Sequence, residues 1–112
     1  MNPSRSDIWV VDLGKGKGHE QSGQRPGLLV SVDEFNQGPA GLVVVLPLTS
    51  RDKGIPWHVE ITPSEGGVKK VSYIKCEDVR SVSVKRLRSC WGKVSKSTMK
   101  KIEERLRILL KL

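Results

Sequence analysis

The stretch Trp57-His58-Val59-Glu60-Ile61 is the place to begin. Trp57, Val59 and Ile61 fall on one face of an extended segment and His58 and Glu60 on the other, the period of two that a half-buried strand requires. His58 therefore reads as a solvated strand residue rather than a catalytic one. On either side, short runs rich in Val and Ile, bounded by Gly, Pro, Asn and Asp, repeat the signal. They predict strands over Asp7 to Leu13, Pro26 to Val32, Gly41 to Leu48, Trp57 to Ile61, Val71 to Asp78 and Arg80 to Val84. In the fifth of these, Ile74 and Cys76 share the apolar face, so Tyr73, Lys75 and Glu77 project together from the opposite one.

Beyond these runs the period changes. Met99, Ile102, Leu106, Leu109 and Leu110 form one apolar stripe on a helix. Ser95 or Ser97 can supply its amino cap, and Glu103 with Arg107 is a favourable i,i+4 pair. The chain is therefore expected to be mainly β, a small barrel or strongly bent sheet carrying a C-terminal helix. Its 112 residues suit a single domain, residues 1–112, and leave no room for a second.

Net charge is +8, but it is unevenly placed. Up to Val84 ten basic residues meet ten acidic ones; from Lys85 onward ten basic residues face only Glu103 and Glu104. The excess lies entirely in the last quarter, which points to electrostatic capture of a polyanion through residues such as Lys93, Lys96, Lys100 and Lys101. Apolar runs are far shorter than the roughly 20 residues a bilayer-spanning helix needs, and Asp7 interrupts what would be a signal sequence. Cytoplasmic residence, with no membrane partner, is expected. Cys76 and Cys90 form no CxxC pair, and two cysteines with two scattered histidines make no zinc-ligand set, so no metal and no cofactor are expected. Cys76 reads as a core residue; Cys90 is left open.

The segment Gly14-Lys-Gly-Lys-Gly-His-Glu-Gln-Ser-Gly-Gln-Arg-Pro26 concentrates glycines and polar groups. It is no Walker loop, because no Gly-Lys-Ser/Thr follows, and no dinucleotide fingerprint, because the third glycine is lacking. From composition alone it is a flexible hairpin loop.

Order adds more. The strings Gly18-His19-Glu20-Gln21-Ser22-Gly23-Gln24-Arg25-Pro26, Val44-Val45-Leu46-Pro47-Leu48-Thr49-Ser50, His58-Val59-Glu60-Ile61 and Lys75-Cys76-Glu77-Asp78-Val79-Arg80-Ser81-Val82, together with the opening Asp7-Ile8-Trp9-Val10-Val11-Asp12-Leu13, resemble the MazF/PemK family of toxin endoribonucleases. The resemblance runs from about Asp7 to the end of the chain. It implies an SH3-like β-barrel of the kind shared by MazF, PemK and CcdB, usually a homodimer. The implied activity is metal-independent, sequence-selective cleavage of single-stranded messenger RNA. It also implies an antitoxin whose acidic tail lies over the RNA groove.

Metal-free RNA cleavage turns the ribose 2′-hydroxyl on its own phosphate. The enzyme must supply a proton acceptor, a cation for the developing phosphorane charge and a donor for the departing 5′ oxygen. The products are a 2′,3′-cyclic phosphate and a 5′-hydroxyl. The guanidinium of Arg25 stays charged and offers two oxygens a matched fork, while Thr49 can hold a phosphate oxygen or the nucleophile. The resemblance carries two assignments. In MazF-like members the catalytic pair corresponds to Arg25 and Thr49; in PemK-like members the work falls to the positions of His19, Lys75 and Glu77. Here Lys75-Cys76-Glu77 replaces an Arg-Cys-Asp triplet, which keeps the charges but alters fork and reach. Glu20, Gln21, Ser50 and Lys75 complete the expected RNA contacts. Glu20 is either a base or an organiser of its loop. Trp9 and Trp57 read as core, and Trp91 as a residue that can stack on a base. Two other functions remain compatible with this chain: a non-catalytic toxin of the same fold that inhibits DNA gyrase, and a basic SH3-like adaptor that binds RNA without cutting it.

Overall fold

The computed structural model describes residues 2–15 and 23–112. Seven strands and a terminal helix account for most of it: β1 (Asp7–Asp12), β2 (Gln24–Leu29), β3 (Leu42–Thr49), β4 (His58–Ile61), β5 (Ser72–Lys75), β6 (Arg80–Ser83), β7 (Leu87–Lys93) and α2 (Lys96–Leu110), with a single-turn α1 (Asp33–Asn36) between β2 and β3. The pairing is antiparallel throughout. It runs β4-β5-β3-β2-β1-β7, and β6 is bonded to β3 off this path.

Strand β3 is central because its sequence is apolar on both faces. Val43 and Val45 join Trp9, Val11, Leu29 and Leu87 in one cluster. Leu46 and Leu48 point the other way and join Ile8, Leu28, Ile74 and Ile102 in a second. A run that feeds two cores cannot alternate apolar with polar, so it reads as a continuous hydrophobic stretch. Val45 is paired with Leu29 on one edge and with Arg80 on the other. β5 and β6 thus share one edge of β3 and β2 holds the opposite edge.

Most of the strands expected from sequence are present, with three differences. The second begins at Gln24 rather than Pro26, because Gln24 and Arg25 pair with Asp12 and Val11 to extend the hairpin. The expected strand Val71 to Asp78 ends at Lys75, and Cys76–Asp78 form a 3-10 turn that swings the chain from β5 to β6. Strand β7 has no counterpart among the strands that the sequence predicts. Its sequence Leu-Arg-Ser-Cys-Trp-Gly-Lys has only Leu87 buried, so an edge strand with almost no burial carries no alternation to detect.

The helix starts as its sequence predicts. Ser95 is the amino cap, its Oγ accepting from the Thr98 amide at 3.1 Å. A second cap comes from outside the helix: Glu65, in a 3-10 turn at Glu65–Gly67, accepts from the Ser95 amide at 2.9 Å and from Thr98 Oγ1 at 2.6 Å. Met99 and Ile102 are buried against the sheet. Glu103 does not pair with Arg107. It meets Arg5 at 2.6 Å, because the amino-terminal segment lies beside the helix and offers a charge held in place by a second bond to the Val30 carbonyl.

Much of the basic tail is also engaged. Lys93 contacts the buried Asp7 at 2.8 Å, Arg88 contacts Asp12 at 3.2 Å, and Arg86 donates to the Asp12 carbonyl. Lys96, Lys100 and Lys101 are exposed and make no ion pair among the described residues.

Burial pushes the Glu65 carboxyl up, but the hydrogen bonds from Thr98 and Ser95 outweigh it and hold the group below the ordinary value of 4.5. A depressed carboxylate contributes stability above its unfolded value and loses it as pH falls through the folded one. Glu65→Gln should therefore lower the thermal midpoint at pH 7, and the gap from wild type should close as pH drops below 4.5. A gap of equal size at pH 3 would show that Glu65 acts through packing and not through its charge.

Candidate active site

Arg25 reaches its position through the β1–β2 hairpin, where it lies opposite Val11. The β2–β3 ladder is in register from Leu29↔Val45 to Gly27↔Pro47. Two residues further along both strands bring Arg25 beside Thr49. Both line one cavity of about 360 Å³, and Ser50 lines it with them. Thr49 ends its strand in a tight turn in which Oγ1 accepts from the Arg51 amide at 3.2 Å. That bond fixes the hydroxyl oxygen and leaves its proton to be donated, as binding a phosphate oxygen requires. Thr49 is also cross-strand to Tyr73. Desolvation, and then the nearby Asp52 and Glu60 carboxylates, push the Tyr73 phenol up, so it stays protonated and able to donate.

The remaining described candidates form a second group. Lys75 lies two residues along β5 from Tyr73, about 7 Å by strand geometry. Alternation alone predicts it on an exposed face shared with Tyr73 and Glu77. Instead it is buried, its Nζ 3.8 Å from Asp78 Oδ2, because the Cys76–Asp78 turn folds over that face. Arg80 Nη2 grips both Asp78 oxygens at 2.8 Å. Glu77 leaves the strand on the same turn, and its Oε2 lies 2.8 Å from His58 Nε2. His58 is accordingly not solvated: its side chain is 3% exposed, and among the described residues Nδ1 has no hydrogen-bond partner. Alternation placed His58 away from the apolar face correctly but could not show that a turn nineteen residues later covers it. Lys75 and Glu77 are absent from the lining of the Arg25 cavity among the described residues. His19, Glu20 and Gln21 lie outside the described residues.

Neither thiol is a ready nucleophile. Burial, opposed by Arg105 and reinforced by Glu77, pushes Cys76 up to about 12. Desolvation and then Asp7 raise Cys90 as well. The indole nitrogen of Trp9 donates to Asp7 and its ring lies in the core, and Trp57 packs against the other cluster. Trp91 alone of the three lines the cavity, together with Lys69 and Lys70. The two lysines fell in a connecting segment with no pattern, so nothing in their spacing marked them.

This fold belongs to a recognised class. Residues 4–110 match the family described as PemK-like, MazF-like toxin of type II toxin-antitoxin system, and the chain belongs to that family. It is 32% identical over 113 residues to Endoribonuclease MazF9 of Mycobacterium tuberculosis, covering 96% of each chain. It is 31% identical to Endoribonuclease EndoA of Bacillus subtilis, covering 100% of this chain and 97% of that one. Among solved structures, MazF from Deinococcus radiodurans superposes with a TM-score of 0.85 at 27% identity, covering 100% of this chain and 99% of that chain. An endoribonuclease in complex with its cognate antitoxin, from a Mycobacterial species, gives a TM-score of 0.81 at 28% identity, covering 98% and 96%. The mainly antiparallel architecture with its C-terminal helix is the MazF-like fold. No helix among the described residues is long and apolar enough to cross a membrane.

In the native protein a chromogenic disulfide reagent should modify Cys90 alone, slowly at neutral pH, with Cys76 reacting only after denaturation. Two thiols of equal reactivity before denaturation would contradict the burial of Cys76.

Proposed function

We propose that this chain is a metal-independent endoribonuclease that cleaves single-stranded messenger RNA at short sequences as the toxin of a toxin–antitoxin pair. The observation that carries the assignment is that Arg25 and Thr49, nearly a quarter of the chain apart in sequence, line one cavity. The full-length relatives named as endoribonucleases support it.

In this reading the 2′-oxygen attacks the adjacent phosphorus as its proton passes to a base, and the bond from phosphorus to the 5′-oxygen breaks as that oxygen takes up a proton. A 2′,3′-cyclic phosphate and a 5′-hydroxyl result. Arg25 neutralises the charge that grows on the phosphorane oxygens, and Thr49 donates to one of them. This chemistry supplies its cation from the protein. Glu77 and His19 are the candidates for proton transfer, with Glu20, Gln21 and Ser50 as supporting RNA contacts. The buried, ion-paired position of Lys75 favours a part in holding Asp78 and the turn that carries Glu77. An acidic antitoxin and a second copy of the chain are the proposed protein partners, in the cytoplasm; relatives solved with antitoxin support the first of these.

Purified protein should cut a long single-stranded RNA in the presence of EDTA, leaving cyclic phosphate ends, and Arg25→Ala should reduce the rate by at least about 100-fold without loss of fold. Intact RNA at saturating enzyme would overturn the reading, and inhibition of gyrase supercoiling in its place would identify the non-catalytic alternative. Full activity in Arg25→Ala would move the chemistry to Glu77 and His19.

Replacing Lys96, Lys100 and Lys101 together by Gln should weaken RNA binding and flatten its dependence on salt, with the slope falling by up to about 2. The cleavage sequence should not change. An altered cleavage sequence would show that the helix reads bases. Lys93 is left intact because it neutralises the buried Asp7.

A further inference from the structure

We propose that the cavity beside Arg25 and Thr49 is a subsite for the nucleotide flanking the scissile phosphate, with its base stacked on Trp91 and its outer phosphate held by Lys69 and Lys70. The inference rests on the endoribonuclease reading and adds to it a place and a chemistry for the neighbouring base.

Three observations converge on it. The first is the composition of the wall. Leu48 and Val68 come from the buried core, Trp91 is a large aromatic left 42% exposed, and the charged residues are Arg25, Lys69 and Lys70, with no carboxylate among the described lining. A flat apolar surface flanked only by cations suits a base attached to phosphates, with the exposed indole face for the base and the cations for the phosphates on either side of it. The second is size: about 360 Å³ falls within the roughly 300–1,000 Å³ of small-molecule sites.

The third is rigidity. Gly67 has φ +81°, and a Cβ there would lie 2.4 Å from the Trp91 carbonyl oxygen and 2.8 Å from the Trp91 Cβ. Gly66 has φ +63°, and a Cβ there would lie 2.5 Å from Ile8 Cδ1. The segment leading to Val68, Lys69 and Lys70 therefore lies flush against β7 at Trp91, an approach that glycine alone permits. Glu65, the residue before this pair, is tied to the start of α2. The backbones that carry the indole and the two lysines are thus held together by one clamped turn, which places the three side chains around one cavity before a base enters it. Continuity with the Arg25–Thr49 pair sets the identity of the nucleotide, since the phosphate those residues hold is covalently joined to the nucleotide beside it.

The test uses the wild-type protein, Trp91→Ala and Trp91→Phe. It also uses an RNA carrying the cleavage sequence found with a mixed pool, and the same RNA made uncleavable by a 2′-deoxy substitution at the cut. Trp91→Ala should weaken binding of the uncleavable RNA by about 5- to 150-fold, the range for loss of one stacked base. It should raise KM with little change in kcat. Trp91→Phe should restore most of the loss. An RNA with an abasic site at the flanking position should bind wild type and Trp91→Ala alike, because the lost contact is then missing from both. Equal binding of intact RNA by wild type and Trp91→Ala would overturn the subsite, as would an undiminished Trp91→Ala defect on the abasic RNA. Either result, with wild-type cleavage intact, leaves the endoribonuclease reading standing. A wild-type protein that cuts no RNA sinks both.

Discussion

Strand β3 is hydrogen-bonded along both edges and buried on both faces, and the rest of the molecule takes its position from that condition. Val43, Val45 and Leu46 are fully buried, and Val45 is paired simultaneously with β2 and β6. A slip of one residue would exchange the side chains of the two clusters and break both ladders, so the register has no alternative of comparable energy. Truncating a single buried leucine here would cost on the order of 2–5 kcal/mol, a large share of a small domain's stability. Because β3 is fixed, so are its last residue, Thr49, and the neighbouring position on β2, Arg25. The proposed catalytic pair is thus set by the hydrophobic core.

A second constraint operates at the other wall of the cavity. The turn Glu65–Gly67 caps α2 through its carboxylate and packs against β1 and β7 through its glycines. One short segment therefore docks the helix and orders the lysines that follow it, and it also seats Trp91. Glycine at 66 and 67 gives up the entropic advantage of a side-chain-bearing residue, and this close packing is what it provides in return.

The fold was legible in the sequence wherever burial imposed a period. Trp57 to Ile61 and the stripe from Met99 to Leu110 are amphipathic, and both formed the element their spacing predicts. Strand β7 was illegible because it contributes an edge and almost no buried surface, so its pairing with β1 leaves no mark on composition. The candidate site divides along the same line. Arg25 and Thr49 stood in strings whose order carried the family resemblance, and the core brings them together. Lys75 and Glu77 were placed on an open face by simple alternation, which holds only while the strand continues. The chain turns at Cys76, where Lys75 and Arg80 meet Asp78 locally and Glu77 reaches back to His58. Lys69, Lys70 and Trp91 lacked any periodic signal, since each earns its place through tertiary contacts of a turn and an edge.

Charge shows how a stretch with no net excess can still build an electropositive site. The first 84 residues hold as many acids as bases, but the two signs do different work. Asp7 and Asp12 receive Lys93 and Arg88, Glu65 caps the helix, Glu77 meets His58, and Asp78 is gripped by Arg80 with Lys75 nearby. These carboxylates are committed to partners that fix the fold, several of them drawn from the basic tail. The cavity lining, by contrast, gathers Arg25, Lys69 and Lys70 without an acid among the described residues. Part of the tail's nominal excess is thereby neutralised internally, while an equal segregation leaves cations facing the cavity from a region that sums to zero. Local field at short range follows this placement and not the total, because exposed charges more than about 8–10 Å apart are largely screened at physiological salt. The proposed capture of a polyanion by α2 and its proposed positioning at Arg25 are therefore separable electrostatic tasks, assigned to different residues of one small domain.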